Sequence, residues 1–494
     1  MKQKTAIILY IVLFSTALLA SAGILVATKF LTGQNKDTGS VETVTEYSDD
    51  QELLSCVEGT TTDMLYPQFW TDRIEDKQIF TPSEIEQINS DNPAFVEYTL
   101  EGETKKHKLF MDDLPETMDG KIIKALIGPD SVKDFQDKNP EFFVSGMPAK
   151  EGYLDEIYDN LALDNIGESV VPQYALIVKR TVSKIFPTED FAAPTADERY
   201  IDSFVSAEEM PFDGVVILHT SKDGEFYYVL NGSYLGWVRK ENLAICSSRE
   251  DWSSFVSPEK YIVVTGSEIV LEETAVETMA SGMVLPMGTR LRLSKDASET
   301  VNGRRTYGCY VVDIPARSQD GTMICEKELI PVSKYVHVGN LSMTSKVVLD
   351  QAFKFLGKVY GYGGALSSND CSGFVRQVYA CFGLKLPRNA RAIAKMHDLG
   401  SVETAKMRLD AKKKLLSETI PGMPLYMDGH LMMYLGMVDE KFYVISSCAT
   451  FIEPGHETSD IVDGYCVFVS SMDLLRANGK TWFEDISFIL NKDY

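Results

Sequence analysis

The chain has 494 residues, 44% of them apolar and 10% aromatic, which excludes a disordered chain and exceeds what one hydrophobic core organises. Its net charge of −24 excludes the basic footprint that nucleic acid requires, so no nucleic-acid partner is expected. Residues 341–494 hold 17 Lys/Arg and 17 Asp/Glu, so the whole acidic excess lies upstream of them.

Lys2 and Lys4 precede an uncharged run of 23 residues, Ala6–Thr28. About 20 residues span a bilayer as a helix, and flanking lysines stay on the cytoplasmic side. Residues 1–32 therefore read as a signal anchor or, through Ala20-Ser21-Ala22, as a cleaved signal peptide. Either reading gives an extracytoplasmic body in the cell envelope, held to the membrane or secreted. Residues 33–50 read as a polar stalk.

A mostly helical domain is expected over 51–170. Thr81-Pro82-Ser83-Glu84 is a capping box with Pro at the first helical position, followed by Ile85 and Ile88 on one face. Tyr153, Leu154, Ile157, Tyr158 and Leu161 form a second helical stripe. The texture then changes to short strands. Val215–Leu218, Phe226–Leu230 and Tyr234–Val238 are separated by Asp223-Gly224 and Asn231-Gly232, which are hairpin signals. These suit a small five-stranded barrel over 171–250, and a second barrel is expected over 251–335.

The last segment, 341–494, carries the chemistry. A helix is expected from Ser345 to Leu356, and a second one opens at Asp370-Cys371-Ser372-Gly373 with Phe374, Val375, Val378, Tyr379 and Phe382 at helical spacing. Cys371 thus sits in the first turn with Asp370 as N-cap. A helix N-terminus lowers a thiol's pKa and offers N–H groups to an oxyanion. His430 begins an apolar strand beside Gly429 and can face a cleft as the base; His397 and His456 sit in polar surroundings and are weaker candidates. The eight cysteines include no C-x-x-C and no zinc-like Cys/His spacing, so neither a metal nor a cofactor is expected, and Cys381 reads as core.

Tyr360-Gly361-Tyr362-Gly363-Gly364, then Asn369–Val375, Phe382–Asn389 and Gly429–Gly436 together resemble the NlpC/P60-type cysteine peptidases of bacterial cell walls. The upstream organisation resembles a branch with a helical N-terminal domain and two SH3-like barrels. The resemblance implies a multidomain α+β protein ending in a papain-like peptidase domain. It implies hydrolysis of the γ-D-glutamyl to diamino-acid bond of peptidoglycan stem peptides, with Cys371 as nucleophile and His430 as base. Tyr360 matches the family's active-site tyrosine, with Tyr362 where tryptophan is usual. Asp370 and Ser372 would help bind the free amine of an N-terminal L-alanine, and the first barrel would wall off the site. Two positions depart from the family. Ser446 stands where a third catalytic histidine is usual, and would accept from Nδ1–H of His430 so that Nε2 faces Cys371. The glutamine that usually follows the Leu-Pro-Arg block is missing. These departures motivate a rival reading: a peptidoglycan-binding scaffold whose barrels bind the wall while the peptidase domain is weak or idle.

Overall fold

The computed structural model describes residues 54–100, 105–296 and 298–493. The expected membrane segment and stalk lie outside these residues. Among those described, no helix is long and apolar enough to cross a bilayer.

The capping box forms as read. The Glu84 N–H donates to the Thr81 hydroxyl, and the Thr81 N–H donates to the Glu84 carboxylate at 2.7 Å. Helix α1 (Pro82–Asp91) buries Ile85 and Ile88. These two pack with Met64, Trp70, Ile79 and Phe80 into the core that also holds Cys371. Gln78–Phe80 pairs antiparallel with Met343–Thr344, which draws the two distant stretches together. The later residues, from Val96 to Ile166, pack instead against the first barrel. The stretch expected as one helical domain is therefore shared between two neighbouring cores, and short strands thread it. Helix α2 (Tyr153–Asn160) buries Tyr153, Leu154 and Ile157, whereas Tyr158 is exposed. Tyr158 follows Ile157 directly and so lies about 100° round the helix from it.

The first barrel, expected with five strands, is a seven-stranded antiparallel sheet. Its strands are β1 (Gln173–Ile177), β2 (Thr181–Lys184), β3 (Val205–Glu209), β4 (Gly214–Thr220), β5 (Phe226–Asn231), β6 (Tyr234–Arg239) and β7 (Leu243–Ile245), in the order β3-β2-β6-β5-β4-β1-β7. Strand β3 gave no sequence signal because Ser-Ala-Glu-Glu is polar, yet Glu208 and Glu209 are both buried. Helix α3 (Arg249–Val256), capped by the Ser248 hydroxyl, leads to the second sheet. That sheet comprises β8 (Tyr261–Val264), β9 (Arg290–Leu293), β10 (Cys309–Arg317), β11 (Met323–Pro331) and β12 (Val336–Val338), in the order β11-β10-β9-β8-β12.

The C-terminal segment is α+β. Helix α4 (Ser345–Phe353) and helix α5 (Cys371–Ala380) precede β13 (Ser401–Glu403), helix α6 (Leu409–Ser417), β14 (Pro424–Met427), β15 (His430–Val438), β16 (Lys441–Phe451), β17 (Val462–Ser471) and β18 (Phe488–Leu490). The six strands form one antiparallel sheet in the order β13-β18-β14-β15-β16-β17. Strand alternation sends Leu431, Met433, Ile445 and Val467 into the core of α5, and Met432, Tyr434, Val444 and Phe468 into the core of Trp482. Both faces are covered, so the strands read as near-continuous apolar runs.

Candidate active site

The start of α5 is fixed by Asp370, whose carboxylate accepts from the Gly373 N–H at 2.7 Å. The preceding loop turns back on it, and the Gly363 N–H donates to the same carboxylate at 3.0 Å. Gly363 and Gly364 both have positive φ and lie against the first barrel. A Cβ on Gly364 would fall 2.4 Å from the Glu208 Cβ, so only glycine admits this approach.

Asp370 is met by five donors. Besides the two backbone groups, the Ser372 hydroxyl donates at 3.1 Å, Arg388 Nη1 donates at 3.2 Å, and Arg388 Nη2 closes a tight ion pair. Burial alone would raise this carboxyl, but Arg388 and the other donors hold it below the usual carboxylate range. Ser372 in turn accepts from Arg388 Nη1 at 2.6 Å. A carboxylate offers about four lone-pair sites, so Asp370 has none to spare for a substrate amine. This differs from the amine-binding role that the resemblance implies for Asp370 and Ser372. Both side chains are committed to Arg388 and to the start of the helix.

Cys371 is buried at 9% exposure in the core that also holds Leu431, and the backbone N–H groups of Leu431 and Ser372 act to lower its thiol. Leu431 directly follows His430, so the thiol lies at the start of the histidine strand. Burial, and then the Asp370 charge, push the thiol up to about 12. That reverses the lowered value expected from the helix N-terminus. Two N–H groups do not offset loss of water next to a carboxylate. Tyr360, also buried, borders Cys371 electrostatically, and its hydroxyl is pushed well above the ordinary phenol value, chiefly by burial.

His430 is buried as the first residue of β15, with its ring 5.2 Å from that of Trp482. Burial, and then Arg476, push its imidazole down to about 3. Thiol and imidazole are therefore both neutral at pH 7. Ser446, fully buried on the neighbouring strand β16, has its hydroxyl 3.2 Å from His430 Nε2. The ring is turned the other way from the sequence expectation, with Nε2 and not Nδ1 meeting Ser446.

The alternative candidates go elsewhere. His397 and His456 are exposed, and the His456 ring lies near Glu58 and Asp460. Glu58, Glu453 and His456 are the one cluster of three possible metal ligands among the described residues, and none of them belongs to the α5 site. Cys381 is fully buried with its sulfur 3.6 Å from the Val264 carbonyl, as core.

Several residues around the site escaped sequence reasoning. Arg180 of the first barrel donates to Glu208 at 2.8 Å, to the Ser368 carbonyl at 2.8 Å and to Asn369 Oδ1 at 2.9 Å. Gln377, on the Cys371 helix, donates to Asn369 Oδ1 at 2.7 Å and to Glu208 at 3.3 Å. Arg388 had a signal, its place in the Leu-Pro-Arg block. Arg180 had only the likeness of residues 180–188 to the two-barrel branch, and Glu208 had no signal; they lie 187 and 161 positions before Ser367 and Asn369 in the sequence.

A buried thiol at a helix start, packed in one core with the strand that a buried histidine opens, is a layout that cysteine-dependent hydrolases use. The NlpC/P60 family model matches residues 357–446, which include Cys371, His430 and Ser446, and an SH3 domain model of the SH3b1 type matches residues 191–239. The chain carries an NlpC/P60 domain and an SH3 domain of that type. In structure it is similar to a novel NlpC/P60 endopeptidase from Photobacterium damselae subsp. piscicida, with a TM-score of 0.63 at 16% identity over 85% of this chain and 95% of that one. That likeness shows a shared fold. An NlpC/P60 family protein from Bacillus cereus ATCC 10987 aligns with a TM-score of 0.41 at 15% identity, over 58% of this chain and 82% of that one. None of the curated proteins compared matches the sequence.

Proposed function

We propose that this protein is an extracytoplasmic cysteine peptidase that hydrolyses the γ-D-glutamyl to diamino-acid bond of peptidoglycan stem peptides. The observation that carries the reading is Cys371 buried at the start of helix α5, in one core with Leu431 of the strand that His430 opens, with His430 Nε2 held 3.2 Å from the Ser446 hydroxyl. Export rests on the N-terminal run of residues 6–28.

In this reading the dyad starts neutral, and the Cys371 proton passes to His430 Nδ1 as the sulfur attacks the carbonyl. Tyr360, kept protonated, donates to the developing oxyanion together with N–H groups at the helix start. The imidazolium, steadied by Ser446, returns its proton to the leaving amine, and water then cleaves the thioester. The first barrel packs on the loop before Cys371 and closes that side, which favours soluble stem-peptide fragments over the intact wall. Asp370 is unavailable as counter-ion to a free alanine amine, so no requirement for that amine is included.

Mass spectrometry of L-Ala-γ-D-Glu-diamino-acid peptides after incubation with the protein tests the proposal. The expected products are L-Ala-D-Glu and the free diamino-acid fragment. Absence of both, with Cys371 inert to alkylation at every pH, would establish the wall-binding scaffold instead.

A further inference from the structure

The chain folds back past His430 after strand β17, in a tight hairpin that the proposed mechanism leaves unused. Leu475 bridges Thr481 across it, Arg476 and Lys480 exchange a 2.8 Å backbone bond, and Leu475 also bridges Ile452. One side chain at the end of this hairpin reaches the histidine, and another reaches the backbone just before it. The Trp482 ring lies 5.2 Å from the imidazole. The Arg476 Nη2 donates to the Asp428 carbonyl, two residues before His430, at 3.0 Å.

The Arg476 charge is poorly matched by protein. Its nearest carboxylate is Asp485, 3.6 Å from Nε and shared with Lys480, also at 3.6 Å. Nη1 donates to no protein group among the described residues, and the side chain is 29% exposed. A half-open guanidinium near a histidine that must become cationic opposes catalysis in the empty site, adding to the burial that chiefly lowers the imidazole. An anion bound to it would remove that opposition.

Its side of the site follows from the chemistry. The imidazole delivers its proton to the leaving amine, so groups beyond His430 border the leaving residue and not the acyl residue. The leaving residue of a stem peptide is the diamino acid, which carries a free α-carboxylate where it ends the peptide. We infer that Arg476 is a specificity residue that binds a carboxylate of the leaving diamino-acid residue, through the forked geometry suited to that group. The inference rests on the proposed peptidase reading.

The test compares kcat and KM for two peptides, L-Ala-γ-D-Glu-L-Lys as free acid and as C-terminal amide. The wild type is expected to cut the free acid at least about tenfold better in kcat/KM, the usual size of a charge-assisted contact, with the difference mainly in KM. Arg476→Gln brings the ratio of the two peptides to about one, and Arg476→Lys keeps part of it. Equal rates for wild type on both peptides overturn the inference while leaving the peptidase reading intact. An undiminished ratio in Arg476→Gln overturns it too. If wild type cuts neither peptide, the peptidase reading falls and takes the inference with it. Should Arg476→Gln fail to fold, the wild-type comparison of the two peptides decides alone.

Discussion

The first barrel meets the start of the Cys371 helix through buried charge, whereas the second meets its end through apolar contact and backbone carbonyls. At the start, the Arg180–Glu208 pair is almost fully buried and grips Ser367, Ser368, Asn369 and Gln377. At the end, the Val264 carbonyl faces the Cys381 sulfur, Gly288 packs on Ala380, and Lys354 donates to the Thr265 carbonyl at 2.7 Å. The exposed Lys358–Glu268 pair completes that contact. One barrel is built into the wall of the proposed reactive centre, and the other supports it from behind. A perturbation of equal chemistry therefore has unequal consequences in the two places.

The largest effect belongs to the centre itself. Cys371→Ala and His430→Ala are each expected to abolish stem-peptide hydrolysis, because dyad members act as a unit. Circular dichroism should remain that of the wild type. Substantial activity in His430→Ala would dissolve the distinction between a reactive front and a supporting back.

Next comes the matched breaking of one ion pair at each barrel. Arg180→Met leaves Glu208 buried without its cation, which costs about 3–5 kcal/mol for a buried pair. It also loosens the loop before Cys371, so activity falls with stability. Lys358→Met breaks a pair whose side chains are each 41% exposed and costs less than about 1 kcal/mol, with activity unchanged. Urea midpoints of both variants measure this. Similar losses for the two would erase the contrast between the barrels.

The pH dependence sharpens the same contrast, because the buried dyad titrates far from its ordinary range. His430 is held down to about 3 against an ordinary 6.5, so its share of stability is present above pH 6.5 and lost as pH falls toward 3. Cys371 is held up to about 12 against an ordinary 9.0, so its share is present below pH 9 and lost as pH rises toward 12. His430→Gln should therefore gain on wild type in urea midpoint between pH 7 and pH 5. Alkylation of Cys371 by iodoacetamide should rise about tenfold per pH unit from 7 to 9, as for a neutral thiol. A flat profile would reveal a preformed thiolate and contradict the neutral pair.

What the sequence made legible was local. The Asp370 cap, the apolar spacing from Phe374 to Phe382 and the strand opened by His430 are all written within a few residues, and the structure has each of them. The hairpins at Asp223-Gly224 and Asn231-Gly232 are local in the same sense. The partners that decide electrostatics are not. Arg388 satisfies Asp370, Arg180 satisfies Glu208, and Arg476 faces His430 from 46 residues downstream, each through folding back of the chain. Polar strand β3 and the sharing of residues 64–166 between two cores were hidden for the same reason. A helix N-terminus reads as a thiol activator only while its burial and its neighbouring carboxylate are unknown.

Among the residues around Cys371, the smallest expected effect on turnover concerns Ser446, which stands in a fully buried position on the histidine strand's neighbour. Its hydroxyl is the partner of His430 Nε2, so Ser446→Ala leaves a buried ring nitrogen without its partner. An unmet buried polar group costs about 1–3 kcal/mol in stability. The effect on turnover is smaller than for either dyad member, because a neutral hydroxyl steadies the imidazolium less than a charged acceptor would. About a tenfold loss in kcat is expected, equivalent to ~1.4 kcal/mol of barrier. Ser446→Thr keeps the hydroxyl and should recover most of the rate, whereas a larger side chain overpacks the site. The measurement is kcat for wild type, Ser446→Ala and Ser446→Thr on one stem peptide. Equal kcat for all three would show that the imidazole is oriented by the Trp482 ring and the strand alone. Loss in Thr as deep as in Ala would show that shape, and not the hydrogen bond, is what Ser446 supplies.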